Sequence, residues 1–351
     1  MNLLEKTRAQ IGEIDSEAAA ATQRLLDGKT KPRGSLGRLE DLACKIASIQ
    51  HNPRPPLPTK AIVVMAGDHG VTQEGVSAYP SEVTWQMLLN FARGGAAINV
   101  LARQAAARLV VVDMGVSGPA EAIPGVLSHR IALGTRNFTL GPAMTVEQTV
   151  LAVEHGIAIA QELASSGVDL IGLGEMGIGN TTSATALLAA FTGRPASEIT
   201  GRGTGIDDTA WVRKVAAIEK ALKTNATGGR PLPVLAAFGG FEIAGLAGVA
   251  LGAAFCKIPV ILDGFIASTA ALCAARLAPN CADYVIASHR SVEIGHKVVL
   301  EALGCEPLFE FSMRLGEGTG AALAMHMVDA SLHILHEMAT FDSAQVTDTG
   351  R

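Results

Sequence analysis

One carboxylate stands among three glycines near the end of the chain, at residues 314–320 (RLGEGTG). Glycine adopts positive φ without strain and lets another molecule approach the backbone closely. A carboxyl group held in such a turn, beside the apolar run that follows, would lose hydration, and its pKa would rise toward neutrality. A carboxylate with a raised pKa is suited to abstract a proton. Glu317 is therefore a candidate general base. The alternative is a surface turn that places an acid near the N-terminus of a helix.

Residues 172–177 (GLGEMG) match the pattern GxGxxG and follow an apolar run that predicts a strand. The next polar residues, 180–183 (NTTS), open an Ala- and Leu-rich helix. Backbone N–H and hydroxyl groups at a helix N-terminus favour a bound anion such as a phosphate. A dinucleotide-binding fold would also place an acid at the end of the next strand, about 20 residues later. The nearest acid, Glu198, lies in a segment that does not predict a strand. We therefore expect phosphate binding and not NAD, with a capped glycine-rich turn as the alternative.

A third glycine-rich segment, residues 201–208 (GRGTGIDD), is followed closely by Lys214. This loop could close over the same phosphate, and Lys214 would supply a cation. Because glycine-rich loops are common, the pattern alone does not establish this role.

The side chains show no pattern that predicts a metal site. Asp68 and His69 could ligate a metal, but no second His or Asp pair at ligand spacing accompanies them, so a hydrogen-bonded structural pair is favoured. Asp113 is followed by Met114, where the diphosphate loop of type I phosphoribosyltransferases has a second acid. This difference argues against phosphoribosyl diphosphate as a substrate. We expect neither a metal nor a cofactor.

Short β-branched runs that alternate with Ala-rich runs predict the frame around these residues. Nearly continuous apolar strands are buried on both faces, which indicates a parallel sheet between two layers of helices. Several predicted strands end in glycine and acid, and ligands of open α/β sheets bind outside the carboxyl ends of the strands. We therefore expect one polar site at that edge. The predicted strands are residues 61–66, 109–112, 169–173 and 260–262, with weaker signals at 234–238 and 284–287.

Composition excludes several classes of protein. The chain has 351 residues and a net charge of −5 without a basic stripe, which argues against a nucleic-acid surface. Its five cysteines form no CxxC pair, as expected in a reducing cytoplasm. The N-terminus is polar and helical in pattern and does not predict a signal peptide. The longest apolar runs, such as residues 243–256, are too short to span a membrane. We expect a cytoplasmic protein without nucleic-acid or membrane partners.

Together these segments resemble the nicotinate-nucleotide–dimethylbenzimidazole phosphoribosyltransferases, which make the lower-ligand nucleotide of cobalamin. The resemblance extends over essentially the whole chain. It is found in residues 31–40 (KPRGSLGRLE), 66–76 (AGDHGVTQEGV), 134–137 (GTRN), 174–182 (GEMGIGNTT), 259–265 (PVILDGF) and 314–324. It implies a homodimer that acts on two small molecules, nicotinate mononucleotide and a benzimidazole. It also implies a Rossmann-like α/β/α domain, here 59–308, and a small helical domain formed by both chain ends, here 1–58 and 309–351.

The resemblance also implies roles for individual residues. The family's catalytic glutamate corresponds to Glu317. Residues 79–87 border the base pocket, and this chain has Tyr79 and Met87 where some relatives carry a small polar residue and an amide; the preferred base therefore stays open. Leu315 is expected to line the same pocket. The remaining residues are expected around the ribose and phosphate of the nucleotide: Glu175, Gly177, Asn180, Thr181, Gly203, Lys214, Asp263 and Ser291.

Two other classes of function remain open at this point. The first is a nicotinamide-dependent oxidoreductase that uses the GxGxxG segment, and tight NADH binding would favour it. The second is a nucleotide-binding protein without catalytic activity, which nucleotide binding without nicotinate release would favour.

Overall fold

Parallel strands at the centre of the molecule form one sheet, as the apolar runs predict. The structure is a computed structural model that describes residues 2–119 and 121–348. Within these residues the sheet has six strands, in the order β3-β2-β1-β4-β5-β6. Every neighbouring pair is parallel, with Val63 of β1 opposite Val110 of β2 on one side and Leu173 of β4 on the other. The strands are β1 (Lys60–Gly67), β2 (Arg108–Gly115), β3 (Val126–Ser128), β4 (Leu170–Met176), β5 (Val260–Leu262) and β6 (Val285–Ala287).

Helices cover both faces of this sheet, so the predicted three-layer α/β/α fold with a parallel sheet is confirmed. The helices are α1 (Leu3–Arg8), α2 (Ser16–Asp27), α3 (Arg38–Gln50), α4 (Glu82–Arg93), α5 (Ala97–Gln104), α6 (Val146–Ser165), α7 (Asn180–Thr192), α8 (Ala196–Ile199), α9 (Asp208–Thr224), α10 (Pro231–Phe238), α11 (Phe241–Phe255), α12 (Phe265–Leu277), α13 (Ile294–Leu303), α14 (Thr319–Glu337) and α15 (Phe341–Ala344). Single 3-10 turns lie at Gly70–Glu74 and Pro279–Tyr284.

The side chains of β1 show why the two layers form. Ile62, Val64 and Ala66 point into a core shared with α3, α4, α5 and α14. Ala61, Val63 and Met65 point the other way, into a core shared with α6, α7, α11 and α12. Successive side chains of a strand face opposite sides of the sheet, so a strand that is apolar at every position requires burial on both faces.

Two strand predictions need correction. The weak strand prediction for 234–238 is wrong, because these residues form the second half of α10. Pro231 lies at the start of that helix, where its φ suits the first turn and its missing N–H is not needed. An apolar run this short fits a buried helix as well as a strand. The prediction also missed β3, whose three residues are all partly exposed and lack the continuous apolar pattern of the central strands.

The two chain ends meet on one face of the sheet. Helices α2 and α3 pack together, and α14 packs on α3. Lys29 Nζ donates to the Met338 carbonyl at 2.7 Å, and Thr30 N donates to the Ala339 carbonyl at 3.0 Å. Helix α1 instead packs on α6 and α11, on the other face. The proposed division of the chain into a catalytic domain and a helical domain stays a prediction.

The strand order places one crevice at the centre of the sheet. The chain moves outward from β1 through β2 to β3, then returns to the other side of β1 to begin β4. Such a switch point opens a crevice at the carboxyl ends of the two central strands.

Helix α11 is buried along almost its whole length. None of the helices within residues 2–119 and 121–348 combines the length and the apolar character needed to cross a membrane.

Candidate active site

A cavity of about 460 Å³ opens at the carboxyl ends of β4 and β5. The loops after β1, β4, β5 and β6 and the segment before α14 contribute to its walls. Most of the residues predicted for the site line it: Tyr79, Met87, Glu175, Gly177, Asn180, Thr181, Gly203, Ser291, Leu315 and Glu317. Lys214 and Asp263 are not among its lining residues, although each bonds a segment that forms the wall.

The segment that presents Glu317 is a tight turn, and residues 315–320 are called the Glu317 turn below. Gly316, Glu317 and Gly318 all have positive φ, at 87°, 65° and 90°. Glutamate rarely adopts this conformation, so the surrounding structure must hold it in place. The Thr319 backbone N–H donates to the Gly316 carbonyl at 3.1 Å, and Thr319 is the first residue of α14.

Gly174 of β4 allows this turn to lie against the sheet. A Cβ atom on Gly174 would lie 2.5 Å from both the carbonyl carbon and the carbonyl oxygen of Glu317. A Cβ on Gly172 would lie 3.1 Å from the Met325 side chain and 3.2 Å from that of Ala321, both in α14. The first two glycines of the GxGxxG pattern thus permit packing between β4 and α14. Of the three, Gly177 lines the cavity.

The surroundings of Glu317 favour a proton acceptor. Its side chain is buried, with 5% of the residue exposed, and Oε2 accepts from the Ile98 backbone N–H at 3.4 Å. Burial raises the pKa of Glu317 above its usual range, and the nearby Asp263 carboxylate acts in the same direction. The Ile98 N–H opposes this rise. A base with a raised pKa retains a proton more readily after abstraction.

A second carboxyl group, Glu175, lies beside the Glu317 turn. It belongs to β4, and its Oε2 accepts from the Asn180 side-chain amide at the start of α7. Burial raises the pKa of Glu175 to about 8, and the carboxylates of Asp263, Glu242 and Glu317 add to this. Glu175 is therefore mostly protonated at neutral pH. A protonated carboxyl group can donate a hydrogen bond as well as accept one.

Lys214 joins the two segments predicted to bind phosphate, residues 174–182 and 201–208. Residues 201–205 are called the Gly203 loop below. Lys214 Nζ lies 2.9 Å from Thr181 Oγ1 and donates to the Gly201 carbonyl at 3.2 Å. Burial lowers the pKa of Lys214 to about 8, and the charge of Glu293 opposes that decrease. A cation therefore joins the start of α7 to the Gly203 loop.

Glu293 also lines the cavity near this cation, and no sequence pattern predicts it. The Gly203 backbone N–H donates to Glu293 Oε1 at 2.9 Å. Glu293 Oε2 is buried and has no hydrogen-bond partner within the described part of the chain. No local pattern signals this role, because Gly203 and Glu293 are 90 positions apart.

One wall of the cavity is apolar. Val83 and Met87 are four residues apart in α4 and therefore lie on one face of the helix. Tyr79 and Leu315 are more than half exposed at 54% and 59%. Besides Tyr79, Met87 and Leu315, the apolar lining includes Val83, which lies in the predicted segment 79–87. It also includes Met176, Ile178, Phe265 and Ile266, which were not predicted to line the base pocket. Such a wall suits a flat aromatic ring.

Two of the strand-end acids lie away from the cavity. Asp68 Oδ2 accepts from the Ser117 N–H at 2.7 Å, and Asp113 pairs with Arg130 at 2.7 Å. His69 does not bond Asp68; its Nε2 lies 2.6 Å from Glu242 Oε1, and both side chains are fully buried. The predicted hydrogen-bonded pair of Asp68 and His69 is therefore wrong, because the two side chains bond separate partners. Among residues 2–119 and 121–348, no group of three His, Cys, Asp or Glu side chains is placed to hold a metal ion.

Asp263 and Ser291 both bond neighbouring segments. The two carboxylate oxygens of Asp263 accept from the backbone N–H groups of Gly318 and Gly320. The Ser291 N–H donates to Nδ1 of His296 at 2.9 Å, and burial lowers the pKa of that imidazole to about 3. The neutral ring of His296 therefore holds the loop that carries Ser291.

Comparison with known proteins gives consistent results. A family model described as phosphoribosyltransferase, DBI_PRT, matches residues 11–346. The nicotinate-nucleotide–dimethylbenzimidazole phosphoribosyltransferase of Chloroflexus aggregans is 54% identical over 349 residues, which is 99% of each chain. The enzyme of the same name from Chloroflexus aurantiacus is 55% identical over 351 residues, again 99% of each chain. The crystal structure of CobT from Thermus thermophilus has a TM-score of 0.91 and 45% identity, and the match covers 94% of this chain and 99% of that one.

Proposed function

This chain belongs to the phosphoribosyltransferase family DBI_PRT, and we propose that its cavity is the site at which the phosphoribosyl group is transferred. The enzyme moves that group from nicotinate mononucleotide to 5,6-dimethylbenzimidazole, giving α-ribazole 5′-phosphate and nicotinate in the synthesis of the cobalamin lower ligand. The comparisons support this activity and do not support an oxidoreductase.

One arrangement supports placing the chemistry here. A buried carboxyl group with a raised pKa, Glu317, shares a cavity with an apolar wall and with Thr181 at the start of α7, which the buried Lys214 contacts from behind the wall. These are the three elements that the transfer requires, namely a base, a surface for the aromatic acceptor and a holder for the phosphate.

Glu317 acts in this proposal as the general base. The acceptor is a neutral benzimidazole, and positive charge develops on its ring as one nitrogen attacks C1′. Glu317 removes the proton from the other ring nitrogen and so neutralises that charge. The bond between C1′ and the pyridinium nitrogen of nicotinate mononucleotide breaks with its electron pair going to the ring. Attack from the opposite face inverts C1′ and gives the α-glycoside.

The phosphate binds in this proposal between the start of α7 and the Gly203 loop. Lys214 supplies the cation, and backbone N–H groups at the helix start favour the anion. A phosphate that accepts from the Gly203 N–H would have to displace the Glu293 carboxylate, which holds that group here. Binding energy from the phosphate aligns C1′ with the attacking nitrogen.

Glu175 donates a hydrogen bond from its protonated carboxyl to a ribose hydroxyl in this proposal. The proton also removes the repulsion that a second negative charge beside Glu317 would cause. Tyr79, Met87 and Leu315 bind the faces of the aromatic base.

We also propose that the enzyme is a cytoplasmic homodimer with a helical domain formed by both chain ends. The packing of α2 and α3 with α14 supports the helical domain. Sedimentation equilibrium would measure the assembly, and a monomer at micromolar concentration would contradict the dimer.

The decisive experiment incubates the purified protein with nicotinate mononucleotide and a panel of benzimidazoles and purines, with products identified by mass spectrometry. We expect an α-linked ribazole phosphate and one equivalent of nicotinate per product. Nucleotide binding without nicotinate release would contradict the proposed site chemistry. Fluorescence titration with NADH is the control, and tight binding would favour the oxidoreductase.

A further inference from the structure

Asp263 is aimed at the Glu317 turn and not at the cavity. It follows β5 directly and is 2% exposed. Its Oδ2 accepts from the Gly318 N–H at 2.9 Å and its Oδ1 accepts from the Gly320 N–H at 2.6 Å. The first N–H groups of a helix have no partner within the helix, and a carboxylate is the acceptor that they and the helix dipole favour.

These two bonds fix the residues directly after Glu317. Gly318 has a φ of 90°, and a Cβ atom there would lie 2.9 Å from Ile62 of β1 and 3.4 Å from Gly174 of β4. The turn is thus confined between the strands and the Asp263 carboxylate. Since Glu317 holds a φ of 65° that glutamate rarely adopts, the position of its carboxyl group depends on these contacts.

Both oxygens of Asp263 are already engaged, which leaves it a poor ligand for a ribose hydroxyl. His289 Nε2 lies 3.7 Å from Oδ1, and the His289 ring lines the cavity where Asp263 does not. We propose that Asp263 is a positioning residue, which sets the place of the Glu317 carboxylate through the backbone of residues 318–320, and that it does not bind the nucleotide. This inference rests on the proposed role of Glu317 as the base.

The charge of Asp263 has a second effect on Glu317. An ionised carboxylate nearby disfavours a second negative charge, so Asp263 makes Glu317 a stronger base. Glu175 from β4 faces the same group, and His289 and Arg314 also line the cavity. Loss of the Asp263 charge should therefore lower the pKa of Glu317.

The test is Asp263→Asn, with kcat and KM measured against pH. The amide that replaces the carboxylate keeps one acceptor oxygen, but its NH₂ group faces one of the two backbone N–H groups, of Gly318 or Gly320. Two donors cannot bond each other, so the turn should shift. A misplacement of about 1 Å costs on the order of 10²-fold in rate. We expect kcat to fall about 10²-fold while KM for nicotinate mononucleotide changes less than about threefold. The acidic limb of the kcat profile should move to lower pH.

Asp113→Asn is the matched control, because Asp113 also follows apolar strand residues and accepts from two backbone N–H groups, those of Gly115 and Val116. The Asp113→Asn variant should be less stable than the wild type, but the pH profile of its kcat should not shift. Asp263→Asn combined with Glu317→Gln should be no slower than Glu317→Gln alone, because both changes act on one group.

Several outcomes would overturn the inference. The first is a tenfold or larger rise in KM at unchanged kcat, which would indicate that Asp263 binds the nucleotide. The second is an acidic limb of the kcat profile that does not move in Asp263→Asn. The third is a double variant in which the losses of the two single variants add. If Asp263→Asn does not fold, Asp263→Ser, which retains a short acceptor without the charge, is measured in the same way. A kcat that falls about 10²–10⁴-fold in Glu317→Gln would sustain the proposed function, while the Asp263 result decides this inference separately.

Discussion

The Glu317 turn and the Gly203 loop are both rich in glycine, and they are held very differently. The Glu317 turn is bounded by backbone on one side and by a buried carboxylate on the other, and it bonds α5 through the Ile98 N–H. The Gly203 loop is held by two long side chains, those of Glu293 and Lys214. A Cβ atom on Gly205 would have no neighbour within 4 Å among the described residues.

This difference corresponds to the two tasks proposed for the loops. Proton abstraction requires the base within hydrogen-bond reach of one ring nitrogen, so small displacements matter. Phosphate binding depends on charge and on several donors, and it tolerates rearrangement. The Glu317 turn should therefore be sensitive in kcat, and the Gly203 loop in substrate affinity.

The largest effect is expected for Glu317→Gln. The amide has nearly the same shape but cannot accept the proton, so kcat should fall about 10²–10⁴-fold, the usual contribution of a positioned base. Affinity for nicotinate mononucleotide, measured by titration calorimetry, should stay nearly constant. Turnover at the wild-type rate in the folded variant would remove Glu317 from the mechanism.

Gly174→Ala tests the turn without touching a reacting group. The added methyl would meet the Glu317 backbone at 2.5 Å, so the turn must move. We expect a loss of about 1–3 kcal/mol in the free energy of unfolding, as for overpacking. We also expect a drop in kcat on the order of 10²-fold.

Gly172→Ala in the same strand is its control. The nearest atoms there are side-chain atoms, at 3.1 Å or more, which can yield. It should affect kcat far less than Gly174→Ala. Equal kcat losses in the two variants would mean that the strand, and not the turn, limits the rate.

Lys214→Met tests the Gly203 loop. Loss of a charged hydrogen bond should weaken nicotinate mononucleotide binding by about 1.5–3 kcal/mol, with kcat at saturation largely retained. Lys223→Met, an exposed position on the same helix, should leave the affinity unchanged. Unaltered calorimetric affinity in Lys214→Met would make this lysine a structural residue.

The pH dependence of binding gives a second check on Lys214. Its pKa of about 8 in the free enzyme means that it is mostly charged below pH 8 and loses its charge above it. Affinity for the nucleotide should therefore fall as pH rises through about 8. Glu175 titrates in the same range and acts in the same direction. The part of the pH dependence that disappears in Lys214→Met belongs to the lysine.

Glu293→Gln should have a smaller effect of opposite sign. Glu293 accepts from the Gly203 N–H, so in the proposed site it would compete with the phosphate for that donor and its charge would repel the anion. A neutral side chain should tighten binding about fivefold, as expected for one net hydrogen bond of about 1 kcal/mol. Weaker binding in this variant would show instead that Glu293 supports the loop in its bound form.

The smallest expected effect is that of a chelator. The pyridinium leaving group departs as a neutral ring, so no diphosphate charge needs a cation. Excess chelator should leave the rate unchanged with nicotinate mononucleotide as donor. Phosphoribosyl diphosphate with magnesium should give no product. Loss of turnover on chelation, restored by magnesium, would show that the donor is misassigned.

The sequence predicts most of the frame because the central strands are apolar along most of their length, a pattern that requires burial on both faces. It also predicts Glu317, since one acid among three glycines is visible locally. It misses Glu293 and the bonds of Asp263, because their partners lie 90 and 55 or more positions away. It wrongly predicts a strand at 234–238. These residues are buried on all sides of α10, so the hydrophobic periodicity that distinguishes a helix from a strand is absent.

The contact of Gly318 with Ile62 has a consequence for how the enzyme is made. A residue near the end of the chain completes a surface of the first strand, and many of the stabilising contacts join segments far apart in sequence. Domains fold during synthesis from the N-terminus, and nonlocal contacts form slowly. The first strand must therefore wait, with one face only partly covered by α3, α4 and α5, until α14 leaves the ribosome. A chain halted before that point would present an apolar surface to chaperones and proteases and would lack its base, so incomplete products should be degraded before they can bind substrate.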